Sequence, residues 1–293
     1  MSLQTDAPAS SVVNAPERLY GAYVFDMDGT IYLGDHLLPG AKRMIEELRA
    51  RAIPVRFLSN NPTKDPAQYA DKLAHLGLPT DVADIANTVV TTTRWLQEHH
   101  PDAVLFPIAE EPLQRALRAA GFRLSENPEE IDIVIASYDR GFDYRKLQIA
   151  FDAIWYHQRA FLIQTNPDRF CPFPGGRGEP DCAAMTAAIE ACTGTTCRVS
   201  LGKPSPIMLH EAMAGLEVDL ADAVMVGDRL QTDIQMALDT GMASALVLTG
   251  EATADDVRTL DSAQRPGYVL DRIDRLIPAD LWNDLGWTEH DPT

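Results

Sequence analysis

Two carboxylates one residue apart, Asp26 and Asp28, stand where the apolar run Tyr23-Val24-Phe25 gives way to Gly29-Thr30. Side chains at i and i+2 of an extended backbone share a face, so the pair can address one substrate while Met27 points elsewhere. One carboxylate can attack an electrophile while the other moves protons, an arrangement suited to phosphoryl transfer. Taken alone, Asp-x-Asp-Gly is more often an ordinary turn. Three further segments decide the matter. In Arg56-Phe57-Leu58-Ser59-Asn60-Asn61-Pro62-Thr63 the Ser59 hydroxyl, followed by the exposed N–H groups of Asn60 and its neighbours, makes a cradle for phosphate oxygens shortly before a helix start at Asp65-Pro66. In Leu201-Gly202-Lys203-Pro204-Ser205-Pro206 a single Lys is held between Gly and Pro neighbours. In Ala223-Val224-Met225-Val226-Gly227-Asp228, with Asp233 in the next turn, two carboxylates at the carboxyl end of a strand offer the oxygen donors that Mg²⁺ selects.

In this order the four segments resemble the haloacid dehalogenase superfamily of phosphotransferases, over essentially the whole chain from about Tyr20 onward. The resemblance implies that Asp26 is the nucleophile of an aspartyl-phosphate and Asp28 the general acid/base. It places Ser59, Asn60 and Lys203 on the transferring phosphoryl group. It has Mg²⁺ ligated by Asp26, Asp228 and the main-chain carbonyl of Asp28, with Asp233 orienting Lys203 or a metal-bound water. Ser59 replaces the commoner Thr and keeps the hydroxyl. A carboxylate at Asp28 separates this chain from dehalogenases, which lack one there, and from ion-pumping ATPases, which carry Thr, so it argues for hydrolysis of a phosphoester.

Spacing narrows the branch. Between Asp28 and Ser59 there is room for a loop from Tyr32 to Pro39, a helix from Gly40 to Arg51 and one strand. Between Ser59 and Lys203 there is far more chain than one crossover needs, so a whole domain is expected to be inserted there. That is the class IIA capped architecture, similar to the nitrophenylphosphatases, phosphoglycolate phosphatases, pyridoxal phosphatases and glycerol-phosphate phosphatases. The expected fold is α/β: a doubly wound, Rossmann-like parallel sheet in a discontinuous core (18–89 and 200–293), with a smaller inserted α/β cap (90–199). Core strands are expected at Tyr20 to Phe25, Pro54 to Leu58, Ala223 to Val226 and Ala243 to Leu248, and cap strands at Val104 to Phe106, Ile131 to Ala136 and Phe161 to Gln164. Cap helices are expected at Leu113 to Ala120, Tyr144 to Tyr156 and Cys182 to Cys192. Within the cap, Asn166, Asp168, Arg169 and Arg177 are the polar candidates for reading the leaving group, and Gly175-Gly176-Arg177-Gly178 reads as a flexible turn.

Composition agrees. The 293 residues with 45% hydrophobic content suffice for two cores. A formal net charge of −18, from 25 basic and 43 acidic residues, works against nucleic acid and anionic membranes as partners, and the partner that the resemblance implies is a small phosphate ester. The four cysteines form no Cys-x-x-Cys arrangement and read as reduced thiols of a cytoplasmic protein. Residues 1–17, rich in Ser, Ala and polar side chains, read as a disordered leader. A Mg²⁺-dependent phosphatase is thus the expectation. A phosphotransferase or phosphomutase using the same intermediate, and an inactive phospho-ligand sensor, are the alternatives, and the oligomeric state, homo-oligomers included, is left open.

Overall fold

The computed structural model describes residues 16–173 and 176–289; the expected leader lies, up to residue 15, outside the described residues. Strands run at β1 (Ala22–Asp26), β2 (Tyr32–Leu33), β3 (His36–Leu37), β4 (Val55–Ser59), β5 (Ile85–Asn87), β6 (Val104–Ile108) and β7 (Arg123–Leu124). They continue at β8 (Ile133–Ala136), β9 (Phe161–Gln164), β10 (Phe170–Phe173), β11 (Arg177–Pro180), β12 (Ala223–Gly227), β13 (Ala243–Val247) and β14 (Tyr268–Leu270). The fold class is α/β, with parallel sheets flanked by helices. The described residues separate into two compact units, one of 16–33, 37–54 and 218–289, the other of 34–36, 55–173 and 176–217.

In the first unit β14, β13, β12 and β1 lie side by side, all parallel. Every residue of β1 and β12 is buried, as a sheet covered on both faces requires. Phe25 pairs with Val226 and Val226 with Ala245. The register therefore brings Asp26, at the end of β1, level with Gly227 and next to Asp228. A buried cluster anchors the helix Ala41–Ala50 of this unit. Asp274, fully buried, takes Arg43 at 2.5 Å and Arg272 at 2.6 Å, and the Arg43 guanidinium lies 4.6 and 4.7 Å from the ring centres of Trp282 and Trp287. Removing one partner of such a cluster leaves buried charge uncompensated. Asp274→Ala should therefore lower the unfolding free energy by about 3–5 kcal/mol, read from the urea midpoint; a loss under about 1 kcal/mol would mean that the two arginines re-solvate freely.

The second unit contains the parallel pair β4–β5 and a four-stranded parallel sheet in the order β7-β6-β8-β9. The chain enters that sheet at β6, steps out to β7, then crosses back to β8, so helices cover both faces. Alternation along the strands sorts the side chains. Leu105, Ile133, Ile135 and Ile163 face Leu96, Leu113 and Leu117 from the helices Thr88–His99 and Glu111–Ala119. Phe106, Ile108, Val134 and Leu162 face Ile149, Met185 and Ile189 from the helices Tyr144–Phe151 and Cys182–Thr193. The expected helix through Tyr156 instead changes to π geometry at Asp152–Tyr156. The segment expected to be a flexible turn is partly ordered strand. Arg177 and Gly178 belong to β11, which pairs antiparallel with β10, while Gly175 lies outside the described residues.

None of the four cysteines, all among the described residues, is joined in a disulfide. Burial pushes the Cys182 thiol up to about 12, so it packs as a small apolar group. Among the described residues no helix is long and apolar enough to cross a membrane.

Candidate active site

The first unit gathers four of the expected residues at the carboxyl ends of β1 and β12. Asp26, Asp228 and Asp233 are 8%, 3% and 0% exposed, and each offers a carboxylate oxygen within 4.8 Å of the others. Asp28 lies just past the end of β1 and faces solvent, while Met27 is fully buried. Its Oδ2 accepts a hydrogen bond from the Tyr32 hydroxyl at 3.2 Å. The turn between them is tight: the Met27 carbonyl accepts from the N–H groups of Thr30, Ile31 and Tyr32. Gly29 has φ +90°, and a Cβ there would stand 2.5 Å from Asp228 Oδ2, so only glycine fits both the conformation and the space. Close approach recurs nearby, since a Cβ on Gly250 would fall 1.9 Å from the same oxygen and one on Gly227 would fall 2.3 Å from the Asp233 side chain. Side chains have been removed around this pocket of carboxylates.

Backbone donors fix the carboxylates. The Glu251 N–H donates to Asp228 Oδ2 at 2.7 Å, and the Arg229 N–H donates to Asp233 Oδ2 at 3.1 Å. The Thr249 hydroxyl donates to the Gly29 carbonyl at 2.6 Å. Arg229 and Glu251 also pair at 3.0 Å. The stretch Thr249-Gly250-Glu251 was not among the expected residues. Its signal is the one used for the others, an apolar run from Ala243 to Leu248 ending in small polar residues.

Charge decides what this cluster can hold. Two unit negative charges at such a separation repel by roughly 3 kcal/mol at an effective dielectric near 20. An oxygen-only donor set, buried and cleared of side chains, fits a small hard cation that offsets them.

The second unit gathers the other expected residues. Ser59, at the end of β4, is 5% exposed; its Oγ shares a hydrogen bond with the Tyr69 hydroxyl at 3.1 Å and accepts from the Asn61 N–H at 3.2 Å. The helix Pro66–His75 follows, started by a capping box between Asp65 and Gln68. Lys203 is 3% exposed and Asn60 9% exposed. Asn60 contacts both Lys203, through its backbone, and Asp168. Asn166 is fully buried just past β9. Its amide donates to Asp168 Oδ2 at 3.0 Å and Asp181 Oδ1 at 3.2 Å, while its oxygen accepts from the Thr165 hydroxyl at 2.7 Å. Asp168 and Asp181 flank the β10–β11 hairpin, so Asn166 ties its base together. Arg169 and Arg177 are exposed. On the hairpin, Glu179 accepts from the Tyr138 hydroxyl at 2.5 Å; burial and this bond hold the Tyr138 phenol above its ordinary range. Tyr69 and Asp181 carried no motif in the sequence, because the groups they bond, Ser59 and Asn166, lie 10 and 15 positions away.

Known proteins resemble this chain over most of its length. The family described as haloacid dehalogenase-like hydrolase matches residues 23–123, and a HAD-hydrolase-like family matches 200–276. The acid sugar phosphatase of Staphylococcus aureus is 33% identical over 242 residues, covering 82% of this chain and 91% of that protein. Among solved structures, the 4-nitrophenylphosphatase of Thermotoga maritima superposes with a TM-score of 0.81 at 30% identity, covering 88% of this chain and 96% of that one. NagD of E. coli K-12 superposes with a TM-score of 0.78 at 25% identity, covering 88% and 98%.

Proposed function

The chain belongs to the haloacid dehalogenase-like hydrolases and is a phosphoric monoester hydrolase, and from that premise we propose that it cleaves small organic phosphate monoesters through an aspartyl-phosphate on Asp26, with Mg²⁺ as cofactor. The observation that carries this reading is the convergence of Asp26, Asp228 and Asp233 at adjacent strand ends with the exposed Asp28 beside them. Asp26, Asp228 and the main-chain carbonyl of Asp28 would hold Mg²⁺, which when bound supplies charge compensation for the carboxylates and the phosphoryl oxygens.

An Asp26 carboxylate oxygen attacks phosphorus, forming an O–P bond as the bond to the ester oxygen breaks. Asp28 gives a proton to the departing oxygen. The Asp28 carboxylate then takes a proton from water, whose oxygen attacks phosphorus and breaks the Asp26 O–P bond, releasing inorganic phosphate. Ser59 and Lys203 hold the phosphoryl oxygens, and buried cationic and hydroxyl groups act there without reorganisation. The Tyr32 hydroxyl on Asp28 Oδ2 fixes the carboxyl group and leaves Oδ1 for the proton transfers. Residues 90–199 act as the cap of a core formed by 18–89 and 200–293, in the cytoplasm, with the exposed Arg169 and Arg177 as the leaving-group readers.

The reading is tested by phosphate release from a panel of sugar phosphates, glycerol phosphate, phosphoglycolate and pyridoxal phosphate with Mg²⁺. At least one member should be hydrolysed with kcat/KM above about 10⁴ M⁻¹s⁻¹; no release from any member, with an aryl phosphate also untouched, would overturn it. Asp28→Asn sharpens the assignment. It should slow alkyl phosphates by about 10²–10⁴-fold but aryl phosphates much less in the first step, because a good leaving group needs little proton donation. Equal losses on both classes would remove Asp28 from the acid role.

A further inference from the structure

The Asn60 amide is divided among three partners. Its Oδ1 accepts from the Lys203 N–H at 2.8 Å, and its Nδ2 donates to the Lys203 carbonyl at 3.1 Å and to Asp168 Oδ2 at 3.0 Å. A carboxamide has one acceptor edge and one donor edge, so it can pair with both backbone groups of a single residue as a neighbouring strand would. Both amide hydrogens are thereby engaged, which leaves the side chain no donor for a phosphate oxygen. Asn60 is itself held, because the Thr88 hydroxyl donates to its carbonyl at 3.0 Å and the Asp168 oxygen it bonds also accepts from Asn166. Space points the same way. A Cβ on Gly202, the residue before Lys203, would stand 2.7 Å from Asn60 Oδ1, 2.7 Å from the Thr165 carbonyl and 2.9 Å from Thr88 Cγ2.

We propose that Asn60 is a positioning residue, its side chain acting on the reaction by fixing the backbone of Lys203 rather than by touching phosphate, with Asp168 holding the amide in register. The proposal rests on the assignment of Lys203 to the transferring phosphoryl group. A Lys side chain reaches its target through four methylenes, so a shift of its backbone is carried to Nζ, and a small misplacement of a charge-compensating group is costly to the transition state. The chain of contacts also joins Lys203 to the base of the β10–β11 hairpin through Asp168, so a change at the hairpin base reaches Lys203 by way of one amide.

A double-mutant cycle separates positioning from direct contact and from a purely structural role. Asn60→Ala, Lys203→Met and the double variant are compared with wild type on 4-nitrophenyl phosphate with Mg²⁺, with inorganic phosphate affinity measured by calorimetry on the same four proteins. In the wild-type background Asn60→Ala should lower kcat/KM by about 30-fold, the rate equivalent of about 2 kcal/mol. In the Lys203→Met background it should change kcat/KM by less than about twofold, because there is no longer an ammonium to place. If turnover of Lys203→Met is too slow to follow, the phosphate affinities should show the same non-additivity. Asn60→Asp keeps the size and the acceptor edge but loses both donors, and it serves in the same cycle if Asn60→Ala does not fold. An equal loss in both backgrounds, or no loss from Asn60→Ala in the first, would overturn the proposal. Wild-type rates in Lys203→Met would instead strike the assignment of Lys203 itself.

Discussion

Asp26→Asn should abolish turnover, with kcat down by at least about 10⁴-fold, while the far-UV spectrum stays that of the folded wild type. The amide is nearly isosteric with the carboxylate, so the packing of β1, buried along its whole length, has no reason to change. What changes is chemical: an amide oxygen does not form an acyl-phosphate, and a covalent intermediate is the device that splits the hydrolysis into two easier displacements. The residual rate should be that of a site which still binds substrate but offers no nucleophile. Rapid quenching of wild type with a good substrate should show protein carrying one phosphoryl group, and Asp26→Asn should carry none. Turnover within tenfold of wild type would sink the assignment. So would a phosphorylated Asp26→Asn protein, which would move the nucleophile to another carboxylate.

The site-forming segments could be read from the sequence because each is a polar interruption of an apolar run, and an open parallel sheet collects such interruptions along one edge. Asp26, Asp28, Asp228 and Asp233 were picked out for that reason, and Asp26, Asp228 and Asp233 converge past the paired ends of β1 and β12. Ser59 stands in the same kind of place, whereas Lys203 was singled out as one Lys held between Gly and Pro neighbours. Other elements left too little local signal. β5 has three residues and β14 three, too short to show a period, and their strand state comes from pairing with β4 and β13. β10 contains Pro172, which argues against a strand anywhere but in a short hairpin at an edge. The Asn60 amide could be seen as polar and near a phosphate cradle, but its three partners lie 108 and 143 positions away along the chain, and nothing local announces them. Asn166 is the converse case. It reads as a loop residue open to a ligand, yet it is fully buried, because its amide closes the base of a hairpin.

Removing divalent metal should silence the enzyme as completely as removing Asp26, and should also change its stability, which gives a readout independent of turnover. After EDTA treatment hydrolysis should stop, and excess Mg²⁺ should restore it. Ca²⁺ should restore it poorly, since it is larger and accepts looser coordination than a compact carboxylate site imposes. The stability effect follows from charge. With no cation, the buried carboxylates of Asp26, Asp228 and Asp233 repel across less than 4.8 Å, and a cation that binds only the folded protein removes that cost. Free Mg²⁺ at 100 times its dissociation constant should therefore raise the unfolding free energy by about 2.7 kcal/mol, visible as a higher melting temperature that tracks metal concentration. Asp228→Asn separates this from nonspecific ionic strength. Its side chain keeps an oxygen for the Glu251 N–H but loses a charge. Its Mg²⁺-dependent rise in melting temperature should need at least about 100-fold more metal, since even residues outside the ligand shell cost 10–100-fold in affinity when changed. Full activity in metal-free protein, or a melting temperature in wild type that ignores Mg²⁺ while activity returns, would mean that the three carboxylates are neutralised by groups of the protein itself and that the cation acts elsewhere.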